Sequence, residues 1–155
     1  MKVSDAANSR VSCRAFTEQP VSLNQIKQLL DVAKQAPSGG NLQPWEVFAF
    51  TGKKLEAIIQ DIDSQLGEKP MGEKAEYDVY PPSLWEPYRS RRFKNGEDLY
   101  ACINVNREDK EGRRKQFIRN FKFFDAPVGL FLYLDKGMGP PQWSDVGMFI
   151  QTLML

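Results

Sequence analysis

The spacing of apolar residues predicts most of the secondary structure in the first half of this chain. Apolar residues recur at the 3.6-residue period of a helix in two segments, at Leu23, Ile26, Leu30 and Ala33 and again at Leu55, Ile58, Ile59, Ile62 and Leu66. Ser22 and Gln25 form a capping box that begins the first helix. Pro37 ends it, because proline disfavours helical geometry at the preceding residue. Residues 45–51, WEVFAFT, predict a strand between the two helices.

The second half of the chain predicts a long loop, a buried strand and a terminal helix. Residues 67–87 contain four prolines and two glycines among many charges, which is typical of a loop. Residues 127–134, PVGLFLYL, are continuously apolar and predict a strand buried on both faces. The last helix is expected to begin near Trp143 or Ser144 and to run to Leu155, apolar on nearly all sides. Polar helices are expected at about 4–9, 86–103 and 108–122.

Composition and charge narrow the class of protein. The 155 residues are 41% apolar and include 10 Phe and 3 Trp, enough for one globular domain with a core, in which Trp45 and Trp143 are expected. The net charge of +1 provides no field that would recruit nucleic acid or an anionic membrane. Basic segments at 89–93 and 107–115 are interleaved with acids and predict solvated helix faces, with pairs such as Asp109 and Arg113. A cytoplasmic location is expected, because the N-terminus lacks the apolar stretch of a secretory signal.

The residue types that are missing point to a bound cofactor. The chain contains no histidine, which excludes Ser-His and Cys-His nucleophile pairs and imidazole metal ligands. Cys13 and Cys102 stand far apart in the sequence and form neither a zinc motif nor a CxxC redox motif. No metal site is therefore expected. If the protein catalyses a reaction, a cofactor is the natural carrier of the difficult step.

The segment RVSCR near the N-terminus is the first candidate binding segment. Side chains of an extended chain alternate between two faces, so one face is expected to carry Arg10, Ser12 and Arg14. Val11 and Cys13 are expected to point the other way, into apolar surroundings. Two guanidinium groups beside a hydroxyl suit a phosphate or another planar anion. The alternative is a solvated edge strand with two surface arginines.

The segment APSGGNLQPW, residues 36–45, is the second candidate. It contains more turn-forming and polar residues than a helix-to-strand connection needs, namely Pro37, Ser38, Gly39, Gly40, Asn41, Gln43 and Pro44. Glycines let a ligand approach the backbone closely, and the prolines lower the entropy lost when the loop is fixed. Such a loop suits a flat ring system with polar edges. The alternative is a helix stop followed by a strand start.

Four segments together resemble the FMN-dependent nitroreductase family. They are SRVSCRAF and APSGGNLQPW, followed in the same order by RNFKFFDAPVGLFLYLD and QWSDVGMFIQTLML, and they cover nearly the whole chain. The resemblance implies an α+β fold with a mixed central sheet flanked by helices. It also implies an intertwined homodimer with one FMN at each subunit interface.

The resemblance implies roles for individual residues. Arg10 and Ser12 would hold the phosphate end of FMN, with Val11 in the same binding segment. Arg14 would lie near the pyrimidine side of the flavin, where negative charge gathers on reduction, and it stays charged at any working pH. No catalytic side chain beyond the flavin is implied. The second segment would complete the flavin pocket of the other subunit through Pro37, Ser38, Gly39, Gly40 and Asn41.

The implied activity is hydride transfer from NAD(P)H, through the flavin, to a nitroaromatic, quinone or similar acceptor, with ping-pong kinetics. Phe123 and Phe124 are candidates for the wall of the substrate pocket. Family chains continue beyond the position of Leu155, so residues 1–155 are expected to form a single FMN-binding domain that lacks the family's C-terminal portion. The alternative function is a truncated, non-catalytic dimeric relative that no longer holds flavin.

Overall fold

The computed structural model describes residues 2–70, 72–73, 75 and 77–155. The chain divides into two compact units, and the first consists of Met1–Glu56 with Phe123–Leu155. The second consists of Ala57–Lys122. The helices and strands of the described residues, over both units, are α1 (Val3–Ser9), α2 (Leu23–Ala33), β1 (Glu46–Thr51), α3 (Gly52–Glu68), α4 (Tyr88–Cys102), α5 (Lys110–Ile118), β2 (Val128–Tyr133) and α6 (Pro140–Met154). Short 3-10 turns lie at Gly39–Asn41 and Phe123–Asp125.

The sheet of the first unit pairs β1 with β2 in antiparallel register, from Glu46 opposite Tyr133 to Thr51 opposite Val128. Together with the helices, this confirms the predicted α+β class. The sheet within the described residues is one antiparallel pair and not the mixed sheet that was expected. The expectation that β2 is buried on both faces is also wrong, because most of its residues are half-buried and 52% of Tyr133 is exposed. A two-stranded sheet has too few neighbours to cover both faces.

The core of the first unit lies where α2 packs against α6. Ala33, Ala36 and Phe149 are buried there, and the ring of Trp45 stacks on that of Phe149 with 4.9 Å between centroids. This confirms Trp45 as a core residue. The same prediction for Trp143 is wrong, since 51% of that residue is exposed. Helix α6 begins at Pro140, earlier than expected, and has prolines in its first turn. Its buried residues Asp145 and Phe149 lie four positions apart and therefore on one face of the helix.

The second unit contains most of α3 and the two polar helices α4 and α5. The capping carboxylate of Asp109 accepts a hydrogen bond from the Gly112 N–H at 2.8 Å and so begins α5. Arg113, the partner that the sequence predicted for Asp109, pairs with Glu97 instead, with 3.8 Å between the guanidinium nitrogen and the carboxylate oxygen. Among the described residues, no helix combines the length and the hydropathy needed to cross a membrane.

Candidate functional site

The loop after α2 is built largely by its own polar groups. The Ser38 hydroxyl accepts a hydrogen bond from the Gln43 N–H at 2.9 Å, which closes the loop over the 3-10 turn. The Ser38 carbonyl accepts from the Asn41 N–H at 2.9 Å. Gly40, Asn41 and Gln43 adopt positive φ angles of 59°, 55° and 49°. Part of the polarity that the sequence offered for ligand binding therefore shapes the loop.

Gly40 leaves room for a ligand at the surface of this loop. A Cβ atom built on Gly40 would have no heavy atom within 4 Å, so open space lies beside the backbone. The positive φ of Gly40 lies in the region that only glycine adopts without steric cost. The backbone at Gly40 is therefore unobstructed, and the close approach of a flat ring that the sequence suggested stays a prediction.

A buried carboxylate holds the loop from α6. Asp145 is 4% exposed, and both of its carboxylate oxygens lie 3.3 Å from the backbone nitrogen of Gly39. The Gly39 N–H, which sequence reasoning offered to a ligand, thus donates to Asp145. No role was predicted for Asp145. The available signal was an acid inside an otherwise apolar helix, because a buried carboxylate needs a hydrogen-bonding partner.

The N-terminal candidate segment is exposed and less regular than predicted. Within the described part of the chain, residues 10–16 belong to no strand. The Cys13 N–H donates to the Val11 carbonyl at 3.1 Å, which forms a γ-turn at Ser12 and interrupts the expected alternation of faces. The prediction that Val11 and Cys13 point into apolar surroundings is wrong in this chain. Val11 is 76% exposed and Cys13 is also exposed.

The structure brings one predicted binding residue against one predicted wall residue. The Arg14 guanidinium lies 5.7 Å from the centre of the Phe124 ring, and its Nη1 donates to the Ser12 carbonyl at 3.3 Å. A cation over an aromatic face is held in place by the ring's electron density. Phe124 itself has a φ of 53°, in a turn where Phe123 and Asp125 also have positive φ values. Backbone strain of this kind is often found at binding and catalytic sites.

Phe123 points into the first unit and not toward Arg14. Its ring packs edge-on against that of Phe131 on β2, with 5.6 Å between centroids. It also lies so close to Gly129 that a Cβ there would come within 2.8 Å of its Cε1 atom. Phe123 therefore supports the turn from inside, while Phe124 carries the contact with Arg14.

The residues of the first unit fit FMN by their chemistry. Arg10, Ser12 and Arg14 are exposed and supply two guanidinium groups and a hydroxyl, which are the donors that a phosphate and an anionic ring require. The backbone at Gly40 is open to a ligand, since a Cβ there would have no heavy atom within 4 Å. These two segments are the parts of the chain that the sequence predicted for the flavin.

Comparison with known proteins identifies the family. Residues 7–155 match the model of the Nitroreductase family. The chain is 35% identical to the nitrobenzene nitroreductase of Ectopseudomonas oleovorans and 36% identical to the chloronitrobenzene nitroreductase of Comamonas testosteroni. Each alignment covers 99% of this chain and 67% of the relative.

A solved structure gives the same result for the fold. The FMN and NADPH-dependent nitroreductase NfnB of Sphigopyxis sp. strain HMH superposes with a TM-score of 0.94 at 43% identity. The match covers 99% of this chain and 69% of that one. The class defined by fold and site is therefore an α+β protein of the nitroreductase type. The chain belongs to the nitroreductase family, and it spans about two thirds of the length of these relatives.

Proposed function

We propose that this protein is an FMN-dependent oxidoreductase that transfers a hydride from NAD(P)H to a nitroaromatic, quinone or similar acceptor. The observation that carries the proposal is its similarity to the FMN and NADPH-dependent enzyme NfnB, over 99% of this chain. The names of the two curated relatives, which act on nitrobenzene and chloronitrobenzene, support a nitroaromatic acceptor. Bound FMN would accept the hydride and release it to the acceptor, which requires no histidine.

The side chains of the first unit would bind and tune the flavin. Arg10 and Ser12 would bind its phosphate through charge-assisted hydrogen bonds. The family resemblance would place Arg14 near the pyrimidine side, and its contact with Phe124, at 5.7 Å from the ring centre, would help to hold the guanidinium there. A fixed cation favours the reduced, anionic state of the ring. Phe124, beside that guanidinium, would form part of the substrate pocket wall, and Phe123 would support it.

We further propose that the active form is a homodimer, with each flavin between two subunits. Apolar residues of α2 that a single chain leaves exposed support this, since Leu23, Leu29 and Val32 are 68%, 55% and 62% exposed. Leu29 also lines an apolar cavity of about 270 Å³ in the first unit, together with Phe16. Exposed apolar residues that cluster on one helix commonly mark an interface between subunits. The loop from Pro37 to Asn41 would complete the flavin pocket of the other subunit.

A single FMN-binding domain, formed by residues 1–155, and a cytoplasmic location complete the proposal. The match of the family model from residue 7 to residue 155 supports one domain of this type. The location is proposed because the reductant, NAD(P)H, is held inside the cell.

The test is the visible spectrum of the purified full chain, followed by turnover. We expect a yellow protein with the absorption bands of flavin, which oxidises NADPH or NADH when nitrobenzene is added. Light scattering should give the mass of two chains. A colourless monomer to which added FMN does not bind would contradict the proposal and would favour a non-catalytic relative.

A further inference from the structure

The second unit contains a cavity lined by four arginines that the flavin chemistry does not use. Its volume is about 570 Å³, within the range of small-molecule sites. Its lining residues include Arg89, Arg92, Arg107 and Arg113, and Glu97 is the one carboxylate among them. Prolines and Phe93 provide an apolar wall. We call this cavity the arginine pocket.

Three of the four guanidinium groups are held by aromatic rings. The distances from the guanidinium carbon to the ring centre are 4.1 Å for Arg92 over Tyr80, 5.2 Å for Arg107 over Phe93 and 3.7 Å for Arg113 over Tyr100. A guanidinium that stacks on a ring keeps the N–H donors of its edge available to a ligand. Because the rings already restrict these side chains, less entropy is lost when they bind.

The four arginines of the pocket outnumber their carboxylate partners by two. Glu97 lies 3.8 Å from Arg113, and Glu86, which is outside the lining, accepts a hydrogen bond from the lining residue Arg89 at 2.8 Å. Hydrogen bonds from Ser90 and Arg89 lower the pKa of the Glu86 carboxyl, which at neutral pH is ionised even without them. Two carboxylates against four arginines leave two uncompensated positive charges, which match a dianion.

We propose that the arginine pocket is a binding site for an organic phosphate. A phosphate monoester carries close to two negative charges at neutral pH and has three acceptor oxygens. Guanidinium groups match that geometry with paired N–H donors. A cavity of about 570 Å³ exceeds what a phosphate alone needs, and the wall at Phe93 suits the apolar part of its ester. The source is either the adenosine 2′-phosphate of NADPH or a phosphate ester without that nucleotide.

The test is calorimetric titration of the full chain with 2′,5′-ADP, with 5′-AMP and with inorganic phosphate. Arg92→Gln and Arg107→Gln should each raise the dissociation constant about tenfold, because each removes one charge-assisted pair of hydrogen bonds. Arg91→Gln is the matched control, since it removes the same charge from α4 but from a residue outside the pocket lining. Its dissociation constant should stay within about threefold of the wild-type value. Circular dichroism confirms that each variant folds, and Arg92→Lys provides a second variant.

The titrations also identify the source of the phosphate. If the protein binds 2′,5′-ADP at least about tenfold more tightly than 5′-AMP, and Arg92→Gln removes this difference, NADPH is the source of the phosphate. This part of the test rests on the proposed function. Equal affinities for the three probes, lost in the same variant, support phosphate recognition without the nucleotide. Because the flavin site is also proposed to bind phosphate, each titration is repeated in Arg10→Gln. The proposal would be overturned if none of the probes binds, or if Arg10→Gln abolishes binding of the probes and Arg92→Gln does not.

These results are independent of turnover. A protein that stays colourless when FMN is added, but still binds 2′,5′-ADP through Arg92 and Arg107, would refute the flavin function and leave the arginine pocket standing. A yellow, active enzyme whose affinity for the phosphate probes is unchanged in Arg92→Gln and in Arg107→Gln would support the flavin function and refute the arginine pocket.

Discussion

The hydrogen bond between Asp145 and Gly39 should control both the stability of the protein and its affinity for FMN. It links α6 to the glycine-containing loop across 106 residues of sequence. Replacement of Asp145 by asparagine keeps the shape of the side chain and removes its charge. Replacement by alanine removes the acceptor altogether and leaves a small cavity at a residue that is 4% exposed.

The magnitude follows from the geometry. One N–H is shared between two oxygens at 3.3 Å, which is long for a hydrogen bond, so we take the low end of the range for a charged acceptor, about 1.5 kcal/mol. Asp145→Asn retains one acceptor and should lower the free energy of unfolding by about 1 kcal/mol. Asp145→Ala should lower it by about 2 kcal/mol, or about 4–8 °C in melting temperature for a chain of this size.

The effect on flavin binding follows from the order of the loop. Without its tether, the segment at Gly39 and Gly40 must be ordered when the ligand binds, at about 1–2 kcal/mol for one backbone residue. The dissociation constant for FMN should therefore rise about tenfold in Asp145→Ala. Arg10 and Ser12, which lie outside the loop, are unchanged in this variant.

Two measurements and one control test this reasoning. Urea unfolding followed by tryptophan fluorescence gives the stability, since Trp45 stacks in the core beside α6. Quenching of FMN fluorescence gives the dissociation constant. Ser144→Ala, an exposed neighbour on the same helix, should change stability by less than about 0.5 kcal/mol. If Asp145→Asn is as stable as wild type and binds FMN equally well, desolvation of the carboxylate cancels the hydrogen bond and the argument fails.

The remaining predictions concern the flavin segment and two glycines. Arg14→Ala should slow flavin reduction about tenfold in stopped-flow measurements and weaken FMN retention less, while Arg10→Ala should do the reverse; equal losses would contradict this division of roles. Gly129→Ala should cost about 1–3 kcal/mol of unfolding free energy, because the new Cβ would lie 2.8 Å from Phe123. In Gly40→Ala the new Cβ meets no atom within 4 Å, so the variant should lose about 1–2 kcal/mol of unfolding free energy through its positive φ alone. Denaturant unfolding measures both glycine variants. If Gly129→Ala is as stable as wild type, the Phe123 side chain moves aside at no cost and the prediction is wrong.

Local sequence signals predicted the secondary structure well where neighbours in the chain determine it. Ser22 and Gln25 form the predicted capping box, with the Gln25 side chain accepting from the Ser22 N–H at 2.8 Å. The strand at 46–51 and the apolar strand at 128–133 also lie where they were predicted. The family resemblance rested on such local patterns in a fixed order, and the match over residues 7–155 confirms it.

Burial was predicted less well, because it depends on what packs against each residue. Val11, Trp143 and Tyr133 were all assigned to apolar surroundings, and all three are more than half exposed. Their hydrophobicity is the same in either environment. Without the positions of neighbouring elements, a sequence pattern cannot distinguish an apolar residue in the core from one on a surface.

The amino-acid sequence by itself determined the two strands and the approximate positions of the helices, because caps, prolines and apolar periods act over a few residues. Only the tertiary structure decided that Asp145 holds Gly39 and that Arg14 lies over Phe124, since these partners are about a hundred residues apart. It also decided that four arginines from two polar helices and their flanking loops surround one cavity. Contacts of this kind depend on how the chain returns on itself, and no local spacing encodes that path.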